Sequence, residues 1–418
     1  VKFFDIPYIM NRMRFIFDND TINKMSPWNY VNADRIQLGK KNQQYWNILG
    51  VSVLDYFDLY KKFTYVRQES YRLNYIAKVE LGESKLDNPY ETFKDFYTKD
   101  YQKFVEYNIQ DVELVDKLED KMKLIELCLT MAYEAKVNYT DVYSQVRCWD
   151  TIIYNHLLKK NIMIPPREDH DKDTQYEGAY VKDPQLGLHN WIVSFDLNSL
   201  YPHLIMQYNL SPETLVGVQP KNMGVENYLN QKFNLQWARD KNVAVAPNGS
   251  MYRRDKQGFL PELMEKMYGD RVVFKKKTIE AKKEFQKTKD PIYKNEISRC
   301  NNIQMAKKIA LNSAYGAIGN QYFRYFDVRI AEAITLGGQL SIRWVERDVN
   351  RFMNKLLNTD NVNYVVASDT DSIYLKLDKL VEKVCKDKSP QQITDFINKA
   401  AEDKIQKVID DSFKNLAK

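Results

Sequence analysis

The feature that most constrains the fold is a short acidic turn between two apolar runs near the end of the chain. Residues 364–375 read Tyr-Val-Val-Ala-Ser-Asp-Thr-Asp-Ser-Ile-Tyr-Leu. β-Branched and aromatic residues on both sides of a Ser/Asp/Thr cluster are typical of a strand, a tight turn and a second strand. Asp369 and Asp371 are two residues apart, so both side chains can point the same way at the turn. Such close carboxylates repel unless a cation such as Mg²⁺ lies between them, although a plain polar turn would use the same residues.

A second acidic strand end lies nearer the middle of the chain. Residues 191–196 form a short apolar strand that ends in Asp196, and a helix is expected to follow. An acid in this place is usually a helix cap, a task that Asn198 and Ser199 could share. Together with the acidic turn, Asp196 could instead complete a carboxylate cluster for two metal ions, an arrangement that suits in-line phosphoryl displacement.

A basic segment could supply the counter-charge. Residues 265–308 contain 13 Lys and Arg against 6 Asp and Glu, whereas the whole chain has a net charge of +6. Arg271 and Lys275 share one face of a predicted helix. A second predicted helix has Lys308, Asn312 and Tyr315 at three- and four-residue steps. Side by side, the helices would direct three cations at a triphosphate-sized spot, with the Tyr315 ring as a surface for a base pair. A solvated basic face is the alternative for each cation taken singly.

The remaining segments predict an α+β fold, because short strands are embedded among helices. The predicted elements are a helix from Tyr8 onward, a buried strand over 48–57 with Asp55 near its end, helices over 95–158, a polar boundary at 165–173, a loop-rich insertion over 215–257, a long helix after Gly258, a second from about 303 to 315, and an amphipathic helical tail.

Composition excludes several classes of protein. The chain is 44% hydrophobic and 28% charged, as in ordinary globular proteins. It has no apolar run of 18 residues, so no spanning helix and no membrane partner are expected. No leader of the secretory type is visible, and a start at Val1 suggests a piece of a longer protein. The four cysteines lie far apart and predict free thiols in a reducing compartment.

Three motifs, in this order, resemble those of family B DNA polymerases. They are Asp196-Leu-Asn-Ser-Leu-Tyr-Pro, Lys308-Ile-Ala-Leu-Asn-Ser-Ala-Tyr-Gly and Asp369-Thr-Asp. The segments at 211–214, 247–252 and 319–327 resemble in particular the replicative polymerases of T-even-type bacteriophages. The resemblance implies template-directed addition of dNTPs to a primer 3′-hydroxyl in viral DNA replication. It also implies a palm with an antiparallel sheet and two-helix fingers.

The resemblance implies roles for the matching residues. Asp196 and Asp371, with the Leu197 carbonyl, would hold two Mg²⁺ ions, and Asp369 would have a lesser catalytic role. The dNTP-binding residues would be Leu197, Ser199, Leu200, Tyr201, Arg271, Lys275, Lys308, Asn312 and Tyr315. Tyr201 would stack under the deoxyribose and exclude a 2′-hydroxyl. The contacts to template or DNA would be Tyr176, Gly178, Ala179 and Gly316. His203 stands where the family usually has Ser, which predicts a local change in packing.

The first third resembles the ribonuclease H-like 3′–5′ exonuclease domain of the family, but only in part. Asp5 matches the second exonuclease motif, and Tyr107 and Asp111 match the third. The resemblance implies that Asp5 and Asp111 bind metal, with further ions there if the site is completed. Without it, Tyr107 and Asp111 would be an ordinary i,i+4 pair on a helix surface. The first motif is absent from the sequence, so this chain alone cannot complete the exonuclease site.

The implied domains are a partial exonuclease domain (1–125), a helical connector (126–170), a first part of the palm with an insertion (171–257), fingers (258–330) and a second, truncated part of the palm (331–418). The thumb and the tail that docks on a sliding clamp are not in this sequence. The implied partners are primer–template DNA, dNTPs, a sliding clamp for the full-length protein and complementary polymerase fragments, in the cytoplasm of an infected bacterial host.

Two alternatives remain open. The chain could be a non-catalytic DNA-binding fragment, or one subunit of a split polymerase that needs complementary chains. A large exposed apolar surface would favour either. A dedicated exonuclease is disfavoured, since the first exonuclease motif is missing.

Overall fold

The computed structural model describes residues 1–38, 41–64, 66–168, 175–218, 223–231, 234–386 and 388–417, without the side chains of 36–38, 41 and 42. The chain divides into two compact units. The first contains residues 1–151 and 277–306, and the second contains residues 152–276 and 307–418. Part of the predicted polar boundary, residues 169–173, lies outside the described residues, as do 219–222, 232 and 233 of the predicted insertion.

The first unit is mostly helical and has one antiparallel hairpin. Its hairpin strands are β1 (Val31–Leu38) and β2 (Lys41–Ile48). Its helices are α1 (Asp5–Ile16), α2 (Asn19–Asn23), α3 (Tyr56–Phe63), α4 (Leu73–Leu81), α5 (Phe93–Lys99), α6 (Tyr101–Met122) and α7 (Leu124–Ala135), and α8 (Gln145–Leu158) begins here. Met10, Ile22, Trp46 and Ile48 form a small core beneath the hairpin. The helix predicted from Tyr8 is α1, which begins slightly earlier, at Asp5.

The strand predicted over 48–57 is wrong. Strand β2 ends at Ile48, and the chain then turns at Gly50, whose φ is +83°. Asp55 does not end a strand but caps α3, because its carboxylate accepts a hydrogen bond from the Phe57 amide at 3.0 Å. The apolar run belongs to a turn and a helix start, which a count of β-branched residues cannot separate from a strand.

The helical prediction over 95–158 is confirmed, with three interruptions. Asp100 caps α6 through its side chain, and Lys123 breaks the run between α6 and α7 in the left-handed conformation at φ +55°. A 3₁₀ turn at Tyr139–Tyr143 separates α7 from α8.

The second unit is built on a four-stranded antiparallel sheet in the order β3-β8-β9-β4. Its strands are β3 (Val181–Lys182), β4 (Ile192–Asp196), β8 (Val365–Asp369) and β9 (Ser372–Lys376). Both acidic strand ends are therefore where the sequence predicts them. The main core packs β8 and β9 against α14 (Val328–Leu357), α15 (Asp378–Val384), α16 (Pro390–Ala400) and α17 (Gln406–Leu416). The predicted helical tail is confirmed, with a π-turn at Ala401–Ile405 between α16 and α17.

The prediction of a loop-rich insertion over 215–257 is wrong for the described part of that segment. It contains a three-stranded antiparallel sheet of β5 (Leu215–Val218), β7 (Ser250–Arg253) and β6 (Val243–Val245). It also contains α10 (Val225–Leu229) and α11 (Gln236–Asp240), and α9 (Leu200–Tyr208) precedes it. The strands have three or four residues each, too few for a clear period-two pattern.

Two long helices follow, α12 (Phe259–Thr288) and α13 (Pro291–Ile318). Helix α12 begins where predicted, but α13 begins at Pro291 and not near Ile303. The Asp290 carboxylate accepts a hydrogen bond from the Ile292 amide at 2.9 Å, and proline suits a first helical position. The first half of α13 has few apolar residues among many polar ones, so hydrophobic periodicity gives only a weak signal for it.

The fold class is confirmed as mixed, with about 60% helix and 10% strand. Among the helices that the structure describes, none is both long enough and apolar enough to cross a membrane.

Candidate active site

Three carboxylates meet at one end of the four-stranded sheet. In the register of the sheet, Asp196 on β4 is opposite Ser372, and Asp369 on β8 is opposite the same residue. The Leu197 amide donates a hydrogen bond to the Asp371 carbonyl at 2.9 Å, which extends the β4–β9 pairing past Asp196. Asp371 therefore lies beside the end of β4.

The turn that positions these acids is held tightly. Thr370 has φ +51°, a costly conformation for a β-branched residue. Its amide donates to the Tyr180 carbonyl at 3.0 Å, and its hydroxyl donates to the Asp369 carboxylate at 2.9 Å. The Asp371 amide donates back to the Asp369 carbonyl at 2.6 Å. These contacts keep the two aspartates on a sharp turn instead of along a strand.

The three acids interact electrostatically. Partial burial raises the pKa of Asp371, and the negative charges of Asp196 and Asp369 raise it further. The part of this rise that comes from the two neighbouring carboxylates reflects negative charge around Asp371, and a cation placed among the three acids would be stabilised by that charge.

Three tyrosines lie beside this cluster. The rings of Tyr201 and Tyr315 are 4.6 Å apart between centroids, at 50° to one another. The Tyr315 and Tyr176 hydroxyl oxygens are 3.3 Å apart, within hydrogen-bonding distance. Burial and then the charge of Asp371 raise the pKa of Tyr201, which places the Tyr201 hydroxyl in the field of the acids. The second unit thus brings the aromatic and acidic candidates together.

The cationic candidates are placed as follows. An Arg271 guanidinium nitrogen donates to the Ser199 hydroxyl at 3.2 Å, and Ser199 lies in the left-handed region at φ +54° just before α9. Lys275 is exposed one turn further along α12, and Lys308 is half-buried on α13. Asp270 and Lys307 form an ion pair at 3.2 Å that joins α12 to α13 at this level. The sequence did not single out this pair, because a single Asp or Lys in a basic helix has no distinctive pattern.

The segment with Tyr176, Gly178 and Ala179 is fastened to α14 by polar side chains that sequence reasoning missed. The Thr335 hydroxyl donates to the Glu177 carbonyl at 2.7 Å, and the Gln339 amide donates to the Gly178 carbonyl at 2.8 Å. Thr335 and Gln339 are buried and four residues apart in an apolar stretch of α14. That spacing is the sequence signal that could have revealed them.

Other predicted site residues lie at the surface or in the core. Asn312, Gly316, Gly178 and Ala179 are exposed, Leu197 is half-buried, and Leu200 is buried under α14.

His203 fits as a packing residue. Its Nδ1 lies 2.9 Å from the Ser199 carbonyl, and its ring packs edge-on against Tyr268 of α12, with 4.6 Å between centroids. A change in packing relative to a serine at this position stays a prediction.

The exonuclease candidates lie in the first unit. Tyr107 and Asp111 share one face of α6, since both contact Lys85. The Lys85 ammonium is 2.6 Å from the Asp111 carboxylate and 4.9 Å from the centre of the Tyr107 ring. Burial acts to lower the pKa of Lys85, but Asp111 and Tyr107 outweigh it and raise the value. No local pattern marks Lys85, which lies 26 residues from Asp111 in the sequence.

Asp5 lies at the start of α1. Its carboxylate is 3.2 Å from the Val1 amino group, which also contacts Asp55 at 2.9 Å. Within the described part of the chain, no hydrogen bond or ion pair joins Asp5 to Tyr107 or Asp111.

Comparisons with known proteins agree with the motif resemblance. The profile of DNA polymerase family B matches residues 137–416, and that of DNA polymerase family B, exonuclease domain, matches residues 1–76. The first match covers more than half of the chain.

Individual relatives point the same way. The chain is 33% identical to the DNA-directed DNA polymerase of Escherichia phage RB69 over 462 residues, covering 100% of this chain and 50% of the relative. The chain is also 33% identical to the DNA-directed DNA polymerase of Enterobacteria phage T4 over 461 residues, covering 100% of this chain and 50% of the relative. The DNA polymerase delta catalytic subunit of Candida albicans is 26% identical over 387 residues, covering 89% of this chain and 35% of the relative. The chain thus spans about half the length of the phage relatives, and it belongs to DNA polymerase family B.

Proposed function

We propose that this chain contains the nucleotide-addition site of a DNA-directed DNA polymerase that acts in phage DNA replication. The observation that supports this most is the meeting of Asp196, Asp369 and Asp371 at one sheet end, beside the Tyr201–Tyr315 pair. In this proposal the four-stranded sheet with α14 is the palm, and α12 with α13 forms the fingers.

Family B polymerases and exonucleases generally use divalent metal ions. Among the described residues, no group of three or more His, Cys, Asp or Glu side chains has a metal-holding arrangement. Magnesium sites commonly use only one or two carboxylates and leave other positions to water and substrate phosphates. Burial, and then the negative charges of Asp196 and Asp369, raise the pKa of Asp371, which fits a site of this kind.

Asp196, Asp371 and the Leu197 carbonyl would hold two Mg²⁺ ions. When bound, such ions neutralise charge on the phosphates and activate the attacking hydroxyl. Asp369 contributes negative charge and fixes the turn through Thr370. The carboxylates therefore act by orientation and electrostatics, as phosphoryl transfer requires.

The incoming nucleotide would lie over α9 and between α12 and α13. Arg271, Lys275 and Lys308 would bind its triphosphate, and Arg271 is already oriented by Ser199. Tyr201 would lie under the deoxyribose and exclude a 2′-hydroxyl.

The nascent base pair would rest on the Tyr315 side of the site. Asn312 and Tyr315 would line its pocket, and Gly316 leaves room beside the ring. Tyr176, Gly178 and Ala179 would contact the template strand.

Residues 1–125 of the first unit would be the incomplete proofreading domain. Asp111 is paired with Lys85, and Asp5 has no described contact with it. These two carboxylates therefore do not form a metal site by themselves, and we derive no hydrolytic step from them. Their role as metal ligands stays a prediction for a completed exonuclease domain.

The partners and location follow from the same proposal. The chain would bind primer–template DNA and dNTPs in the cytoplasm of an infected bacterium. A sliding clamp would bind the full-length protein.

Primer extension tests the proposal. The purified chain is given a short primer–template, Mg²⁺ and dNTPs, beside Asp196→Ala and the control Asp360→Ala, which changes an exposed acid outside the site. Extension by the wild type and Asp360→Ala, but not by Asp196→Ala, is the expected result. Equal extension by all three would contradict the assignment of the site.

A second candidate function is that of one subunit of a split polymerase, or of a DNA-binding fragment. Aromatic side chains on and next to α1 favour it, since Phe4, Tyr8 and Phe15 are 75%, 63% and 83% exposed. Exposed aromatic side chains concentrated on one segment fit a surface that another polypeptide covers. Salt-sensitive DNA binding without extension, followed by extension once a complementary polymerase fragment is added, would support this candidate.

A further inference from the structure

Two adjacent glycines lie in the middle of α14 where a helix would be more stable with alanine. Gly337 and Gly338 are both buried in this 30-residue helix. Glycine inside a helix is unfavourable, because it loses more backbone freedom than alanine does on folding. A close approach of another element is one physical reason to place glycine there.

The element that approaches is α9, and each glycine meets a different aromatic ring. A methyl group on Gly338 would lie 3.0 Å from Cε1 of Tyr201, closer than such contacts normally are. A methyl group on Gly337 would lie 3.4 Å from Cε2 of Tyr208, an ordinary contact distance. Both positions also border Leu204, at 3.8 Å and 3.6 Å.

Tyr201 has little freedom to move away from such a methyl group. Its ring packs on Tyr315 at 4.6 Å, and the neighbouring Leu200 side chain would lie 3.5 Å from the same methyl group. Any shift of the Tyr201 ring therefore changes its packing on Tyr315. In a close-packed interior, a displacement of a few tenths of an ångström also displaces or strains the neighbouring side chains.

We infer that Gly338 is a positioning residue that sets the depth of the Tyr201 ring against α14, and thereby the room left for the sugar of the incoming nucleotide. This inference rests on the function proposed above, in which Tyr201 lies under the deoxyribose. Gly338 does not touch the nucleotide and acts only through the Tyr201 ring.

The matched pair Gly338→Ala and Gly337→Ala separates this role from a general effect on the helix. Both substitutions add one methyl group to the same buried turn of α14, and both improve helix propensity equally. Only Gly338→Ala presses on Tyr201. The first measurement is ¹⁹F NMR of the chain with 3-fluorotyrosine at position 201 alone, which needs no catalytic activity.

The expected result is a changed ¹⁹F resonance at position 201 in Gly338→Ala and an unchanged one in Gly337→Ala. Identical spectra for the two variants would overturn the inference, whether or not the chain polymerises. A circular dichroism melt of each variant verifies that both are folded.

The second measurement is single-nucleotide incorporation of dNTP and of the matching rNTP. Gly338→Ala should raise KM for the dNTP and raise discrimination against the rNTP about fivefold, with little change in kcat. Gly337→Ala should leave the ratio unchanged, and Tyr201→Ala should abolish the effect of Gly338→Ala. A wild-type chain that does not extend primers would count against the proposed function, whereas equal discrimination by the two alanine variants of an active chain would count against the inference alone.

Discussion

The two units hold their candidate carboxylates in opposite electrostatic states. In the second unit, Asp371 is partly buried beside Asp196 and Asp369, and none of the three has an ion pair within the described residues. In the first unit, Asp111 is paired with Lys85 at 2.6 Å. Clustered negative charge without a cationic partner lowers the stability of the folded state. Such a cluster is therefore expected where it serves a function, here the binding of an external cation. A carboxylate that an internal lysine already neutralises offers no such site.

Removing a carboxylate from each unit should have unequal effects on nucleotide addition. Asp371→Ala should reduce primer extension by about 10³-fold or more, because it removes a ligand of the proposed ions. Most DNA affinity should remain, since phosphate contacts supply most of it. Asp111→Ala should leave extension near the wild-type rate. Steady-state kinetics measure primer extension by the two variants, and a filter-binding assay measures their DNA affinity. Similar losses of extension in Asp371→Ala and Asp111→Ala would contradict the difference between the units.

The tyrosines sharpen the same comparison. In the second unit, a methyl group on Gly319 would lie 2.3 Å from the Tyr176 hydroxyl, so Gly319→Ala must displace Tyr176 from Tyr315. Extension should fall about 10- to 100-fold, as expected for a small misplacement at a site that depends on geometry. In the first unit, Tyr107 packs on Phe93 and Phe96, and Tyr107→Phe should leave extension unchanged. Extension by Gly319→Ala at the wild-type rate would show that the Tyr176–Tyr315 contact is not used.

The smallest expected effects are on the free energy of unfolding. A neutralising substitution in the second unit and one in the first unit should change it in opposite directions. The raised pKa of Asp371 means that the folded state keeps this proton to higher pH than the unfolded chain does. Its contribution to stability therefore falls as pH rises through that raised pKa. Asp371→Asn should thus increase the free energy of unfolding by about 1 kcal/mol at neutral pH, with the gain disappearing in acid.

The matched change in the first unit should do the reverse. Asp111→Asn leaves Lys85, which is only 23% exposed, without its charge partner. The free energy of unfolding should fall by about 1 kcal/mol. Urea denaturation at several pH values measures both variants, with Asp360→Asn as the control. Equal and same-signed changes would contradict the electrostatic contrast.

The sequence predicted the acidic hairpin and the strand before Asp196 because their signals are local. Each is a short β-branched run that ends in turn-forming residues. The first half of α13 was not predicted, since its apolar residues are few and the helix begins at Pro291. The strand predicted at 48–57 failed for the opposite reason: the apolar residues there belong to a turn, and Asp55 caps a helix.

Site residues that belong to a sequence motif could be predicted. Residues that only hold those site residues in place could not. The sequence singled out Tyr201, Tyr315 and the three aspartates. It did not single out Thr335 and Gln339, which hold the segment with Tyr176, or Gly338 beneath Tyr201. These residues act through tertiary contacts between segments far apart in the chain, and such contacts leave no local pattern.

The most direct test of the account is whether the acidic cluster of the second unit binds a divalent cation. Mn²⁺ titration of the intact chain, followed by electron paramagnetic resonance, measures this without any need for catalysis. The wild type and Asp360→Ala should bind Mn²⁺, and the double variant Asp196→Ala/Asp371→Ala should lose that binding while remaining folded. Unchanged Mn²⁺ binding in the double variant would contradict the claim that these carboxylates form the cation site.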